Sequence, residues 1–149
     1  MIVILLRHAD KIAPDGLSPA GKERAKLLAR MLGDAGVSVA FRTQFARAKE
    51  TLAPLKEKVP GVRIEEINTP AEESSEHYAQ RVAAAVLALP ADAVVAVIGH
   101  SDTLGPTIAH LGGGPIGPIG EHEFDKLFVL FVEADRPTSL LKLRYGAPT

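Results

Sequence analysis

Arg7 and His8 stand side by side at the end of the first apolar run, Met1-Ile2-Val3-Ile4-Leu5-Leu6. A guanidinium is a planar fork of donors that suits phosphate oxygens, and a neutral imidazole can act as a nucleophile. A second apolar run, Ala93-Val94-Val95-Ala96-Val97-Ile98-Gly99, ends the same way, at His100. Arg47 lies one turn into a predicted helix that follows Thr43. Helix N-termini attract anions through their free N–H groups and the helix dipole, so an arginine there adds charge to an anion pocket. Each residue also has an ordinary alternative. Arg7 alone reads as a strand-end arginine paired with a surface carboxylate, His8 as a hydrogen-bonded structural residue, and Arg47 as an exposed helical arginine.

Position is what sets the pair of histidines apart. Ile2 to Leu6 read as a buried strand: short, unbroken and partly β-branched. Val94 to Ile98 read likewise. In open α/β sheets the crevice beyond the carboxyl ends of the strands is where ligands bind. Two strands that each deliver a histidine to that end predict one site with two imidazoles.

Between these strands the chain alternates. Pro14, Asp15 and Gly16 are turn residues in a loop over 12–17. Ser18-Pro19 predicts a helix start, with Ser18 at the N-cap and Pro19 at the first helical position. Gly21, Ala25, Leu28 and Leu32 recur at helical spacing, and Gly33 or Gly36 ends that helix. A short strand over 37–42 follows. Thr43 is expected to cap a second helix carrying Phe45, Ala48, Leu52 and Leu55, with its end obscured by Pro54. A third strand over 62–67 leads to a polar loop over 68–75. Tyr78, Val82, Ala85, Val86 and Leu89 mark the face of a third helix, and 104–111 a short fourth. The Gly- and Pro-rich segment 112–120 cannot hold regular structure. Strands over 127–132 and 140–143 are expected to form a hairpin across 133–138. The alternation predicts a three-layer α/β/α fold with a mainly parallel sheet, and residues 1–149 read as one domain.

Composition removes several function classes. The formal net charge of −1 gives no case for nucleic acid or an anionic membrane as partner. The absence of cysteine excludes disulfides and thiolate metal sites. The opening apolar run is too short for a membrane span and lacks the flanks of a secretory signal, which makes the cytoplasm the default location. No sequence feature sets an oligomeric state.

Four stretches together resemble the histidine phosphatase superfamily, also called phosphoglycerate mutase-like. Leu6-Arg7-His8-Ala9 resembles its Arg-His-Gly signature. Leu17-Ser18-Pro19-Ala20-Gly21 resembles the start of its first helix. Thr43-Gln44-Phe45-Ala46-Arg47-Ala48 with Thr51 resembles the stretch carrying its second arginine, and Val97-Ile98-Gly99-His100-Ser101 its second histidine. Leu143-Arg144-Tyr145-Gly146 is similar to endings of short members. The four occur in register over nearly the whole chain. The resemblance implies that His8 attacks phosphorus and becomes a phosphohistidine. It implies that Arg7, Arg47 and His100 hold the phosphoryl oxygens, with no metal or other cofactor, and that another acceptor fixes the His8 tautomer.

The chain departs from the family pattern in two places. Ala9 replaces the usual glycine. The carboxylate that protonates the leaving group in the family has no single counterpart here. Glu73 is placed first, ahead of Glu72 and Glu76 in the same region, with Asp102 and Asp10 as rivals. The loop over 68–75 is all that fills the place of the lid in larger members. So short a lid suggests an open site, as in the phosphohistidine phosphatase branch, that admits a phosphorylated small molecule or a phosphoprotein side chain. It argues against mutase chemistry, which keeps its intermediate from water. Two other classes stay open. One is a phosphate-binding module without catalysis. The other is a metal-dependent hydrolase built on the two His-x-Asp pairs, His8/Asp10 and His100/Asp102. His77, His110 and His122 carry no expected role.

Overall fold

The first strand, β1 (Ile2–Arg7), lies inside the sheet with neighbours on both sides. In the computed structural model, which describes residues 1–149, its side chains alternate between two cores. Val3 and Leu5 join one cluster, and Ile4 and Leu6 join the other. Helices cover both faces, which is why the run is apolar without interruption.

The remaining elements follow in the order α1 (Pro19–Gly33), β2 (Val39–Arg42), α2 (Ala46–Lys58), β3 (Arg63–Glu66), α3 (Ser75–Leu87), β4 (Val94–Gly99), α4 (Leu104–His110), β5 (Lys126–Glu133) and β6 (Arg136–Arg144). The sheet order is β3-β2-β4-β1-β5-β6. The first four of these strands are mutually parallel, and the hairpin β5–β6 is antiparallel. One core packs α3 and α4 onto Val3, Leu5, Phe41 and Phe128; Tyr78, Val82 and Ile108 supply the helix side. The other packs α1 and α2 onto Ile4, Leu6, Ala96 and Ile98 through Leu28, Leu32, Leu52 and Leu55. This is the expected three-layer α/β/α arrangement with a mainly parallel sheet.

α1 starts where the sequence predicts. The Ser18 hydroxyl accepts the Gly21 N–H, and Pro19 occupies the first turn. Gly21 is required by close approach, because a Cβ there would lie 2.1 Å from the Asp10 carbonyl oxygen.

Two expectations are corrected. Thr43 does not cap α2. The N-cap is Phe45, which offers no side-chain acceptor, and Pro54 sits inside the helix without ending it. The last hairpin is tighter than predicted, with β5 running to Glu133 and β6 starting at Arg136. β6 is the edge strand, so Pro137 is tolerated there without a ladder N–H.

Candidate active site

β1 and β4 are parallel neighbours with Arg7 opposite Gly99, so the residues that follow each strand emerge together. The His8 N–H still donates to the Gly99 carbonyl at 3.0 Å, continuing the ladder by one residue. The two imidazoles then lie with ring centroids 5.1 Å apart. His8 Nδ1 is 2.8 Å from the Ala9 carbonyl oxygen. A carbonyl can only accept, so Nδ1 carries the proton and Nε2 keeps its lone pair. His8 is 1 % exposed, and burial pushes its pKa down to about 3. His100 Nε2 is 2.9 Å from the Thr43 hydroxyl. Burial first, and then the Arg47 charge, push the His100 pKa down to about 4. Both rings are therefore neutral near pH 7.

Each arginine has one end fixed. Arg7 Nη1 donates to the carbonyls of Gly120, Glu121 and Glu123 at 3.1, 2.7 and 2.9 Å. Its guanidinium carbon lies 4.1 Å over the Phe124 ring. Arg47 Nη1 donates to Asp15 Oδ1 at 3.0 Å, and its guanidinium carbon lies 4.3 Å over the Phe45 ring. The Nε of both arginines is buried and has no hydrogen-bond partner. Burial lowers the Arg7 pKa, and the nearby Arg47 charge lowers it further. Two cations in mutual repulsion, each with an unmet donor, form an arrangement that an oxyanion would relieve.

The N-terminus of α2 is not the free anion site expected of it. The amides of Ala46 and Arg47 donate to the Asp15 carboxylate at 2.8 and 3.1 Å. The donors left free at the site are thus on side chains rather than helix amides.

Beside these groups is a cleft of about 270 Å³. Arg47, His100, Phe45, Glu73, Ser75 and Asp102 are among its lining residues. Arg7 and His8 are not among them; His8 adjoins the cleft through His100, and its ring centroid is 5.9 Å from that of Phe124. The loop over 68–74 bounds the cleft, pinned by paired hydrogen bonds between the Gln44 amide and the Thr69 backbone. A larger groove of about 480 Å³ runs between α1 and α2, but none of its lining residues belongs to this site.

The five carboxylate candidates separate. Glu73 lines the cleft, yet Arg81 holds both its oxygens and His77 shares one of them. The Arg81 hydrogen bonds, with His77 in support, hold its pKa below the usual range. Asp102 also lines the cleft, is exposed, and accepts the Ser75 hydroxyl at 2.6 Å. Asp10 is turned to Arg24 at 2.6 Å, Glu76 is paired with His110, and Glu72 is exposed outside the cleft lining. No three His, Asp or Glu side chains are gathered as a cation site requires: the two imidazoles of the His-x-Asp pairs meet, but Asp10 is turned to Arg24.

Sequence reasoning missed Asp15, Thr43 and Thr51 as members of the site. Asp15 read as a turn residue and Thr43 as a cap. Thr51 entered only as part of a motif, and its hydroxyl accepts the Ala9 N–H at 2.9 Å and donates to the Arg47 carbonyl. A threonine one turn after a candidate arginine was the available signal for that link.

Solved structures share this architecture. The chain is 26 % identical to a protein from Agrobacterium tumefaciens assigned as the phosphohistidine phosphatase SixA, over 94 % of this chain and 96 % of that one, with a TM-score of 0.65. The chain has the histidine phosphatase fold. The protein histidine phosphatase SixA complexed with tungstate matches at 21 % identity, over 97 % of both chains, with a TM-score of 0.69. A mycobacterial glucosyl-3-phosphoglycerate phosphatase matches at 18 % identity, over 99 % of both chains, with a TM-score of 0.68. No protein-family model and no curated protein sequence matches the chain. Among these structures are phosphohistidine phosphatases, which the chain resembles along nearly its whole length.

Proposed function

We propose that the chain is a phosphatase that hydrolyses a phosphate monoester or a phosphohistidine through a covalent intermediate on His8. The observation that carries this reading is the neutral His8 ring, its Nε2 lone pair free, beside two guanidinium groups whose Nε donors are buried without partners. The similarity to SixA and to a sugar-phosphate phosphatase supports it.

In the first step His8 Nε2 attacks phosphorus, and the bond from phosphorus to the leaving oxygen or nitrogen breaks. Arg7, Arg47 and His100 hold the three equatorial oxygens, so positioning and electrostatics supply the catalysis. The leaving group takes a proton from a carboxylic acid at the cleft. Asp102 suits that role better than Glu73, because Arg81 and His77 keep Glu73 in its charged form. In the second step a water oxygen bonds to phosphorus as the P–Nε2 bond breaks, and the cleft carboxylate takes the proton that the water loses, which restores the acid. Inorganic phosphate leaves and His8 is regenerated.

The cleft is too small to enclose a large ligand, and it is open to a phosphorylated side chain or a compact ester. The substrate is therefore a phosphorylated small molecule or a phosphoprotein, and the reaction runs in the cytoplasm without a metal.

Rapid-quench labelling tests this reading. Turnover of p-nitrophenyl phosphate should be accompanied by acid-labile, base-stable phosphate on His8, and His8→Ala should abolish both. Phosphate binding without turnover would instead favour a binding module. Activity that survives His8→Ala would exclude His8 as the nucleophile.

A further inference from the structure

We infer that Asp15 is a positioning residue that fixes the guanidinium of Arg47 for the phosphoryl group; this rests on the phosphatase reading above.

Asp15 lies in the loop that links the nucleophile strand to α1, yet its carboxylate serves α2. Oδ2 accepts the Ala46 N–H at 2.8 Å. Oδ1 accepts the Arg47 N–H at 3.1 Å, Arg47 Nη1 at 3.0 Å and the Gly16 N–H at 2.9 Å. One carboxylate thereby holds Arg47 at both its backbone and its side chain. A long, flexible arginine fixed at Nη1 loses most of the freedom that would otherwise be lost on binding an anion. The Phe45 ring restrains the guanidinium plane from another side. Nε and Nη2 carry no hydrogen bond within the protein and are the donors left for a ligand oxygen.

The cap also replaces something α2 lacks. Its own N-cap, Phe45, has no side-chain acceptor. An acid supplied from a distant loop meets the helix dipole and two orphan amides at once. The same loop is tied a second time, by the Leu17 N–H donating to Glu50 Oε2 at 2.6 Å. Asp15 therefore couples the loop after His8 to the helix bearing Arg47. Its neighbours oppose any proton-transfer role. Burial alone would raise the Asp15 pKa, but Arg47 and the amides of Ala46, Gly16 and Arg47 outweigh it and hold the carboxyl ionised.

A double-mutant cycle on the full chain tests the assignment. Asp15→Asn keeps one oxygen acceptor, removes the charge that holds Arg47 and leaves the other amide of the pair without an acceptor, so a modest fall in its thermal midpoint is expected. Its kcat/KM for p-nitrophenyl phosphate should fall about tenfold to a hundredfold, mainly in kcat, as expected when a transition-state contact is misplaced. In an Arg47→Ala background the same change should alter kcat/KM by less than about twofold, because its target is gone. Tungstate affinity, by calorimetry, should follow the same pattern and serves if turnover is absent. Equal fold losses in both backgrounds, or no loss from Asp15→Asn while Arg47→Ala is impaired, would overturn the inference and leave the phosphatase reading standing. Arg47→Ala with wild-type turnover and wild-type tungstate affinity would defeat the phosphate role of Arg47 itself. A wild-type protein with neither turnover nor tungstate binding would defeat both. If Asp15→Asn unfolds, Asp15→Ser, which keeps a short acceptor, is put through the same cycle.

Discussion

His8 and His100 face each other at 5.1 Å between ring centroids with their planes 58° apart, and neither ring has a carboxylate partner. The pair is therefore kept neutral by burial and by the surrounding arginines, with folded-state pKa values of about 3 and about 4. The rate should hold as the pH drops from 7 to about 5, since nucleophilic attack needs neutral His8. A kcat/KM profile with an acid limb near pH 6.5 would show that His8 titrates as an ordinary exposed imidazole.

Stability should follow the opposite course. An unfolded-state histidine titrates near 6.5. Below that pH the unfolded chain takes up protons that folded His8 and His100 refuse, so stability is full above about pH 6.5 and is lost as the pH falls toward about 4 and then about 3. Thermal midpoints measured from pH 7 to pH 4 should decline less steeply in His8→Asn than in wild type. Superimposable slopes would refute the coupling.

Arg7 should matter to the fold as well as to the chemistry. Its Nη1 is the donor shared by the carbonyls of Gly120, Glu121 and Glu123. Arg7→Ala should remove phosphatase activity and lower stability by about 2 kcal/mol, the usual scale for charged hydrogen bonds lost from a buried site. Urea unfolding of the variant checks this, and an unchanged midpoint would mean that the loop over 120–123 is held by other contacts.

Glu73→Gln and Asp102→Asn should behave differently. If Asp102 protonates the leaving group, Asp102→Asn should slow an alkyl phosphate by about a hundredfold or more, and p-nitrophenyl phosphate much less. Glu73→Gln should show no such discrimination, because its carboxyl is held by Arg81 and His77. The reverse pattern in rates across the two esters would return the acid role to Glu73.

Chelation gives a separate check. The donors around the phosphoryl site are guanidinium and imidazole groups, and Asp10 is engaged by Arg24. Activity should survive EDTA. Loss that zinc or manganese restores would revive the His-x-Asp reading.

The sequence exposed the parts of this site that follow from strand ends. Arg7, His8 and His100 were legible because a buried strand leaves an unmistakable apolar run, and the next residue must sit at the sheet's carboxyl edge. Arg47 was legible through its place early in a helix. The capping of that helix was not, because Asp15 reaches it from 31 residues away in sequence. Thr43 likewise read as a local cap, whereas its hydroxyl meets His100 through the β2–β4 pairing. Glu73 reads in the sequence as a candidate acid, whereas its carboxylate is held by two partners four and eight residues further along the chain. Local periodicity reports which face a residue takes, and tertiary pairing decides which polar groups remain free.

The place of β1 in the sheet bears on how the chain acquires its structure. Ile2 pairs with Val94 on one side and Phe131 on the other, so the first strand made has no partner until most of the chain exists. Such long-range pairing raises contact order and slows folding. During synthesis the run from Ile2 to Leu6 is an unpaired apolar segment at risk of association with other chains. Slow, chaperone-sensitive refolding is the expected kinetic signature, and a fragment ending before Val94 should fail to fold because its first strand lacks both neighbours.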